Sequence, residues 1–250
     1  MDWLLGAVRS SVGRKFFVGV TGLGLVGFLV GHLTGNMHML QGAERMNEYA
    51  DFLHHIPMFG LIELGLMACF VGHIGLALSL APANRAARGG TRYAVSGTKR
   101  VDGGMRRMSS SMMALSGLII LAFLVVHISD FRIPRHAIEH GPEGGIGYVV
   151  VDKLQVTWRA VLYAVGSVLV AWHLFHGIQS AARSAGLNHP KYTPLVEKGG
   201  AAISIAIGVG FASLALLTAS GVISDDGIGA PEPAAEEALD DASAHTDDEH

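Results

Sequence analysis

A chain of 250 residues has the length of one or two soluble domains, but half of its residues are apolar and only 16% are charged. With a mean hydropathy of +0.40, that composition belongs to a membrane protein. A single cysteine, Cys69, excludes an intrachain disulfide framework, a CxxC redox pair and any cysteine-held iron–sulfur cluster or zinc finger, so a redox metal needs other ligands. In chain order, five stretches reach the roughly 20 apolar residues that cross a hydrocarbon core of about 30 Å. They are predicted as helices near 16–40, 57–81, 108–130, 156–182 and 199–221. Helix formers dominate them, no proline interrupts them, and the alternation of membrane β-strands is missing. The expected fold is an all-α, five-helix transmembrane bundle.

The first span follows Arg14 and Lys15 as the apolar region of a signal peptide would. It is about 25 residues long and lacks an A-x-A cleavage pattern, so it is read as retained. Orientation follows from lysine and arginine in the short loops. One side carries Arg9, Arg14, Lys15, Arg85, Arg88, Arg92, Lys99, Arg100, Arg106, Arg107, Arg183, Lys191 and Lys198. The other carries Arg45, Arg132, Arg135, Lys153 and Arg159. Segment 1–15 and the loops near 82–107 and 183–198 are therefore expected in the cytoplasm, and the C-terminus outside. The glycine-rich basic loop 82–107 reads first as a topology signal and second as a dock for an acidic partner or anionic headgroups. Segment 131–155, with Pro134, Pro142 and several glycines, is expected to be irregular surface structure. Ten acids and no bases lie between Asp225 and Glu249, so 222–250 is expected to be a disordered tail without chemistry.

Ionisable side chains inside a span are costly and mark function. His32, His73, His127 and His173 with His176 lie on four different spans. Because the chain reverses at each loop and a helix rises about 1.5 Å per residue, His32 and His127 share the outer half and His73 and His173 the inner half. The fifth span contributes none. Two imidazoles without nearby thiols or carboxylates suit a haem iron, which has two axial positions beyond the porphyrin nitrogens. Zinc, copper or a transported divalent cation would draw more ligands to one depth. No CxxCH is present, so two haems of b type are expected.

Gly24, Gly27, Gly31 and Gly35 recur at helical spacing, Gly72 and Gly75 flank His73, and Gly177 follows His173 by one turn. They fit a flat macrocycle between helices and equally fit small-residue helix packing. His38 turns about 240° from His32 to another face. His54 and His55 precede Pro57 at the outer mouth of the second span, and His136, His140, His189, His245 and His250 lie in loops or the tail. His176 shares a face with His173 and differs from it by roughly 4.5 Å in depth, so spacing leaves both open as the inner ligand. Glu63, ten residues before His73, is the carboxylate well inside a span and a candidate proton site. Glu44, Glu48, Asp51 and Asp130 lie near the outer surface.

The segments FLVGHLTGNMHML, MNEYADFL, FLVVHISDF and HLFHGIQSAARSAGLNHPKYTPL make the chain, up to its acidic tail, resemble the single-chain, five-helix, di-haem cytochrome b membrane anchor of succinate dehydrogenase and fumarate reductase (respiratory complex II). The resemblance implies that His32 and His127 ligate a distal haem and His73 and His173 a proximal one. It selects His173 because the ligand in similar proteins stands four residues before a glycine, here Gly177. It further implies electron transfer between flavoprotein and iron–sulfur subunits on the cytoplasmic side and a membrane quinone, with menaquinone expected near the distal haem. Succinate chemistry would belong to those partners. The implied setting is a bacterial-type cytoplasmic membrane, with lipid and quinone around the spans and no nucleic acid. The alternatives are a di-haem subunit of another quinone-linked dehydrogenase, such as a hydrogenase or formate dehydrogenase, a haem-free anchor and a metal transporter.

Overall fold

The computed structural model describes Gly6 and residues 10–86, 113–132, 145–187 and 189–228. The middle of the basic loop, His136, His140 and the tail beyond 228 lie outside the described residues. Among the described residues the fold is all-helical apart from one hairpin of two two-residue strands. Helix α1 (Ser11–Asn36) begins where the Ser10 hydroxyl caps it, accepting from the Gly13 N–H at 2.9 Å. It passes into a 3-10 turn over Met37–Gln41, so the predicted first span begins earlier than expected and ends in a tighter turn. Gly42, at φ 109°, stops that turn in a conformation other residues rarely adopt.

The remaining helices are α2 (Ala43–His55), α3 (Phe59–Ala86), α4 (Met113–Phe131), α5 (Ile146–Gln155), α6 (Thr157–Ser184) and α7 (Thr193–Ala219). Strands β1 (Ile223–Ser224) and β2 (Gly227–Ile228) pair antiparallel, with Ile223 opposite Ile228. Pro82 falls inside α3, where its missing N–H is tolerated near the helix end. Pro194 stands in the first turn of α7, where no N–H partner is needed. The Met1-proximal span, α3, α4, α6 and α7 are long and apolar enough to cross a membrane. Their outward faces carry exposed Leu64, Val71, Leu118, Val125, Val165 and Val209, as a lipid-facing surface does.

Two readings of the sequence change here. Of the segment expected to be irregular, 146–155 is a helix, and residues 223–228 of the expected disordered tail form the hairpin. Both belong to a cap at the end of the bundle where α1, α4 and α7 finish. The cap holds the main buried cluster, Met39, Met46, Val150, Val151, Leu154, Tyr163, Leu214, Ala215 and Ile223. Each large apolar side chain buried there contributes about 1.5–3 kcal/mol. Backbone contacts lock it: the Ala43 N–H donates to the Asp225 carbonyl at 2.7 Å, and the Gly147 N–H donates to the buried Asn47 Oδ1 at 2.7 Å. Gly147 is obligatory, because a Cβ would run into the Ala43 carbonyl. Helices α2 and α5 are amphipathic but far shorter than a membrane span, so a search for long apolar runs passes over them, as it does the two-residue strands of the hairpin.

The opposite end carries Arg14, Lys15, Arg183, Lys191 and Lys198 against Glu197 among its described residues, and is called the basic end. Within the bundle, α6 and α7 approach closely. A Cβ on Gly208 would meet the Ala171 Cβ at 2.6 Å, and one on Gly200 the Ile178 Cγ2 at 2.9 Å, the small-residue contact expected of membrane helices. The buried hydroxyls of Ser167, Ser204 and Thr218 donate to carbonyls one turn earlier on their own helices, which satisfies them without water.

Candidate functional site: two histidine pairs

Four helices bring four imidazoles together as two pairs. At the basic-end level, His73 of α3 faces His173 of α6, with ring centres 6.5 Å apart and planes at 78°. Toward the cap, His32 of α1 faces His127 of α4, with ring centres 5.7 Å apart and planes at 89°. Depth follows from the helices themselves. A Cβ on Gly22 would lie 3.0 Å from His73 Cε1, and one on Gly117 would lie 3.5 Å from His173 Cε1. Gly22 precedes His32, and Gly117 precedes His127, by ten residues, so the two pairs are separated by about 15 Å along the bundle.

The spacing within each pair can be compared with what one iron requires. A metal–nitrogen bond is about 2.0 Å and the ring nitrogen sits about 1.1 Å from the ring centre, so two imidazoles on opposite sides of one metal have centres about 6.2 Å apart. The His73–His173 pair matches this, and the His32–His127 pair is slightly closer. Among the described residues, no group of three or more His, Cys, Asp or Glu converges to hold a metal ion. Two nitrogens alone complete a coordination sphere only where the metal brings its other ligands with it, as a porphyrin iron does.

The two pairs are fixed by different means. His73 Nδ1 lies 3.1 Å from the Val18 carbonyl and 3.4 Å from Thr21 Oγ1, both on α1. A carbonyl only accepts, so the proton is on Nδ1 and the Nε2 lone pair is left for a metal. His173 Nδ1 lies 3.0 Å from Ser116 Oγ, whose own proton is directed to the Met113 carbonyl at 3.0 Å. The same tautomer results. Around the capped pair the neighbours are rings: His32 stacks on Phe28 at 5.3 Å and meets Phe211 at 5.5 Å. His127 meets Phe131 at 5.3 Å, Tyr163 at 6.0 Å and Phe123 at 6.2 Å.

His176 is buried, with its ring over that of Phe175; the imidazole opposite His73 is that of His173. The glycines divide. Gly27, Gly31, Gly75 and Gly177 face open space, whereas Gly35 packs on Tyr49, Gly24 on Cys69 and Gly72 on Thr21. Of the other histidines, His38 stacks on Tyr49, His54 contacts Phe59, and His55 Nδ1 lies 2.7 Å from the Asp51 carbonyl. His189 lies at the basic end against Tyr192.

Glu63 sits at the capped end of α3 and pairs with Arg132, just past α4, at 3.4 Å, with both side chains about half exposed. Glu48 pairs with Arg45 on the exposed face of α2, and Glu44 is exposed. Asp130 is different. Its Oδ2 accepts from the Tyr163 hydroxyl at 2.9 Å and its Oδ1 lies 3.4 Å from Arg159 Nη1, with the carboxylate side chain only 13% exposed. Asp130, Arg159 and Tyr163 thus form a polar cluster beside His127. Reading the sequence missed Thr21, Ser116, Gly22, Gly117, Arg159 and Tyr163. For the first four a signal existed: each histidine of the capped pair is preceded, ten and eleven residues earlier, by a glycine and a hydroxyl residue. No protein-family model, characterised protein or solved structure matches the chain.

Proposed function

We propose that the chain is a di-haem cytochrome b and the membrane anchor of a succinate:quinone oxidoreductase, passing electrons between an iron–sulfur partner subunit and a membrane quinone. One observation carries the haem part of this reading: four helices present two imidazole pairs at two depths, the His73–His173 pair at the spacing of two ligands to one iron and the His32–His127 pair slightly closer. His32 with His127, and His73 with His173, would hold the two irons. A haem iron held by two imidazoles supplies a one-electron carrier with no open position for substrate.

The chain's own residues orient and shield. The Val18 carbonyl and Ser116 hydroxyl keep His73 and His173 in the tautomer that leaves Nε2 free. Gly22 and Gly117 leave room for those rings. Phe28, Phe123, Phe131 and Phe211 surround the other pair and exclude water from it.

The identity of the oxidoreductase rests on the resemblance of the histidine-bearing segments. In that reading the basic end faces the cytoplasm of a bacterial-type cell and docks the flavoprotein–iron–sulfur pair. The capped end faces outward, with quinone, expected to be menaquinone, handled near His32 and His127. Glu63, salt-bridged to Arg132, is the proposed proton site there.

The test is a dithionite-reduced minus oxidised spectrum with haem quantified per chain on purified protein, followed by capture of the succinate-oxidising partners. Two b haems per chain and co-purifying succinate:quinone activity are expected. A folded preparation without haem overturns the cytochrome reading. Two haems with hydrogen- or formate-linked activity instead reassign the complex to another quinone-linked dehydrogenase.

A further inference from the structure

Residues 21–32 of α1, TGLGLVGFLVGH, align without a gap on residues 116–127 of α4, SGLIILAFLVVH. Leucine and valine matches are cheap between apolar helices, so identity alone carries little. What carries weight is that corresponding residues do the same thing in space. The final histidines, His32 and His127, face each other. The phenylalanines one turn earlier, Phe28 and Phe123, each lie against the histidine of their own helix. The opening hydroxyls, Thr21 and Ser116, contact Nδ1 of His73 and His173 respectively. The glycines that follow, Gly22 and Gly117, are where Cε1 of those same rings comes closest.

In each case the ring being seated belongs to the next long helix in the chain, α3 after α1 and α6 after α4. Resting on the di-haem reading, we infer that the bundle is two copies of one helix-pair unit, α1 with α3 and α4 with α6, facing each other about an axis along the membrane normal, and that the hydroxyl–glycine steps Thr21–Gly22 and Ser116–Gly117 are positioning residues for the His73–His173 centre. Both units run in the same direction, which is the arrangement of a parallel repeat. Each iron site then lies at the interface of the units and takes one ligand from each, while each ligand of the basic-end pair is seated by its own unit. Helix α7 stands outside the repeat. A residue on the helix that bears an outer ligand therefore governs the inner centre, about 15 Å along the bundle from that ligand.

The experiment uses the full-length protein. His127→Ala and His173→Ala first assign which spectral band and midpoint potential belong to which centre. Ser116→Ala is then compared with Ser116→Thr, and Gly22→Ala with both. Removing the hydroxyl from an imidazole ligand's partner typically weakens the site by 10–100-fold, so a roughly tenfold faster haem loss is expected at the inner centre in Ser116→Ala. Its band and potential should shift while the outer centre keeps both, and Ser116→Thr should restore them. Gly22→Ala should disturb the same inner band by crowding His73, and Thr21→Val should do so less, because the Val18 carbonyl remains as acceptor. Unchanged inner signals in Ser116→Ala, a change confined to the outer centre, or no rescue by threonine overturns the positioning inference while leaving the haem reading intact. A wild-type protein without haem overturns the haem reading itself. Gly22→Ala is the variant most prone to misfold, and the Ser116 pair decides the matter without it.

Discussion

The two ends of the bundle hold their histidine pairs in opposite ways. At the capped end, aromatic rings enclose His32 and His127, and the main buried cluster among the described residues sits directly beside them. At the basic end, hydrogen bonds from Nδ1 to α1 and α4 orient His73 and His173, within a region of thinner packing where α3 and α4 expose much of their surface. An imidazole can be fixed by filling the space around it or by tying down one nitrogen. The first demands a built core and the second demands single polar atoms, so the two centres should fail for different reasons.

If the four paired histidines hold two haems as proposed, the largest effects come from replacing them. Alanine at His32 or His127 should remove one haem and leave the band of the basic-end centre, and alanine at His73 or His173 should do the reverse, each taking the haem content from two per chain to one. His176→Ala should keep both, since the ring that faces His73 is that of His173. Haem quantification with reduced-minus-oxidised spectra checks this, and loss of haem on changing His176 instead would move the inner ligand by one turn.

Next in size is damage to the cap. Gly147→Ala drives a methyl group into the Ala43 carbonyl, and overpacking of this kind costs about 1–3 kcal/mol or more. Asn47→Ala leaves the buried Gly147 N–H without its acceptor, at about 1–3 kcal/mol. Thermal release of haem followed by absorbance should show the capped-end centre lost first in both variants, reversing any order set by the basic-end centre. Equal weakening of both centres would mean that the cap supports the bundle as a whole and not one pair.

Breaking the Asp130 cluster is a finer cut through the same end. Tyr163→Phe removes one hydrogen bond to Asp130 and keeps the ring against His127, so a loss of about 1.5–3 kcal/mol, appropriate to a charged acceptor, is expected without haem loss. Asp130→Asn also strips Arg159 of its counter-charge in a largely buried setting and should cost more. Chemical denaturation of the two variants in one detergent gives the comparison. If Tyr163→Phe costs as much as Asp130→Asn, the hydroxyl and not the ion pair is the main tie between α4 and α6.

The legibility of the molecule divides along the same line. The five long helices could be read because uninterrupted apolar length is a direct consequence of bilayer thickness, and the pairing levels could be read because each helix has a fixed rise. The cap could not, since α2, α5 and the hairpin are short, mixed in polarity and stabilised by tertiary contacts such as Asn47 to Gly147. Glycine spacing suggested a macrocycle slot along one face of α1, yet Gly35 turned out to admit Tyr49. The glycines that touch the imidazoles, Gly22 and Gly117, are recognisable only when two spans are compared with each other. A polar partner such as Ser116 is invisible to hydropathy because one hydroxyl hardly changes the mean of an apolar helix.

The smallest expected effect on stability is that of Glu63→Gln, and its smallness is what makes it informative. The Glu63–Arg132 pair spans α3 and the end of α4, but both side chains are about half exposed and their atoms are 3.4 Å apart. Pairs of this kind contribute about 0–1 kcal/mol, so melting and haem content should stay within error of the parent protein. Asp130 beside His127 is already committed to Tyr163 and Arg159, whereas Glu63 can exchange a proton with water without dismantling a core. Slower quinone turnover by the assembled complex, with both haem bands and the melting curve unchanged, is therefore the outcome expected if protons enter through Glu63. Unchanged turnover would transfer that task to the Asp130 cluster, and the capped end would then do its proton chemistry on the buried side of the site and not at its mouth.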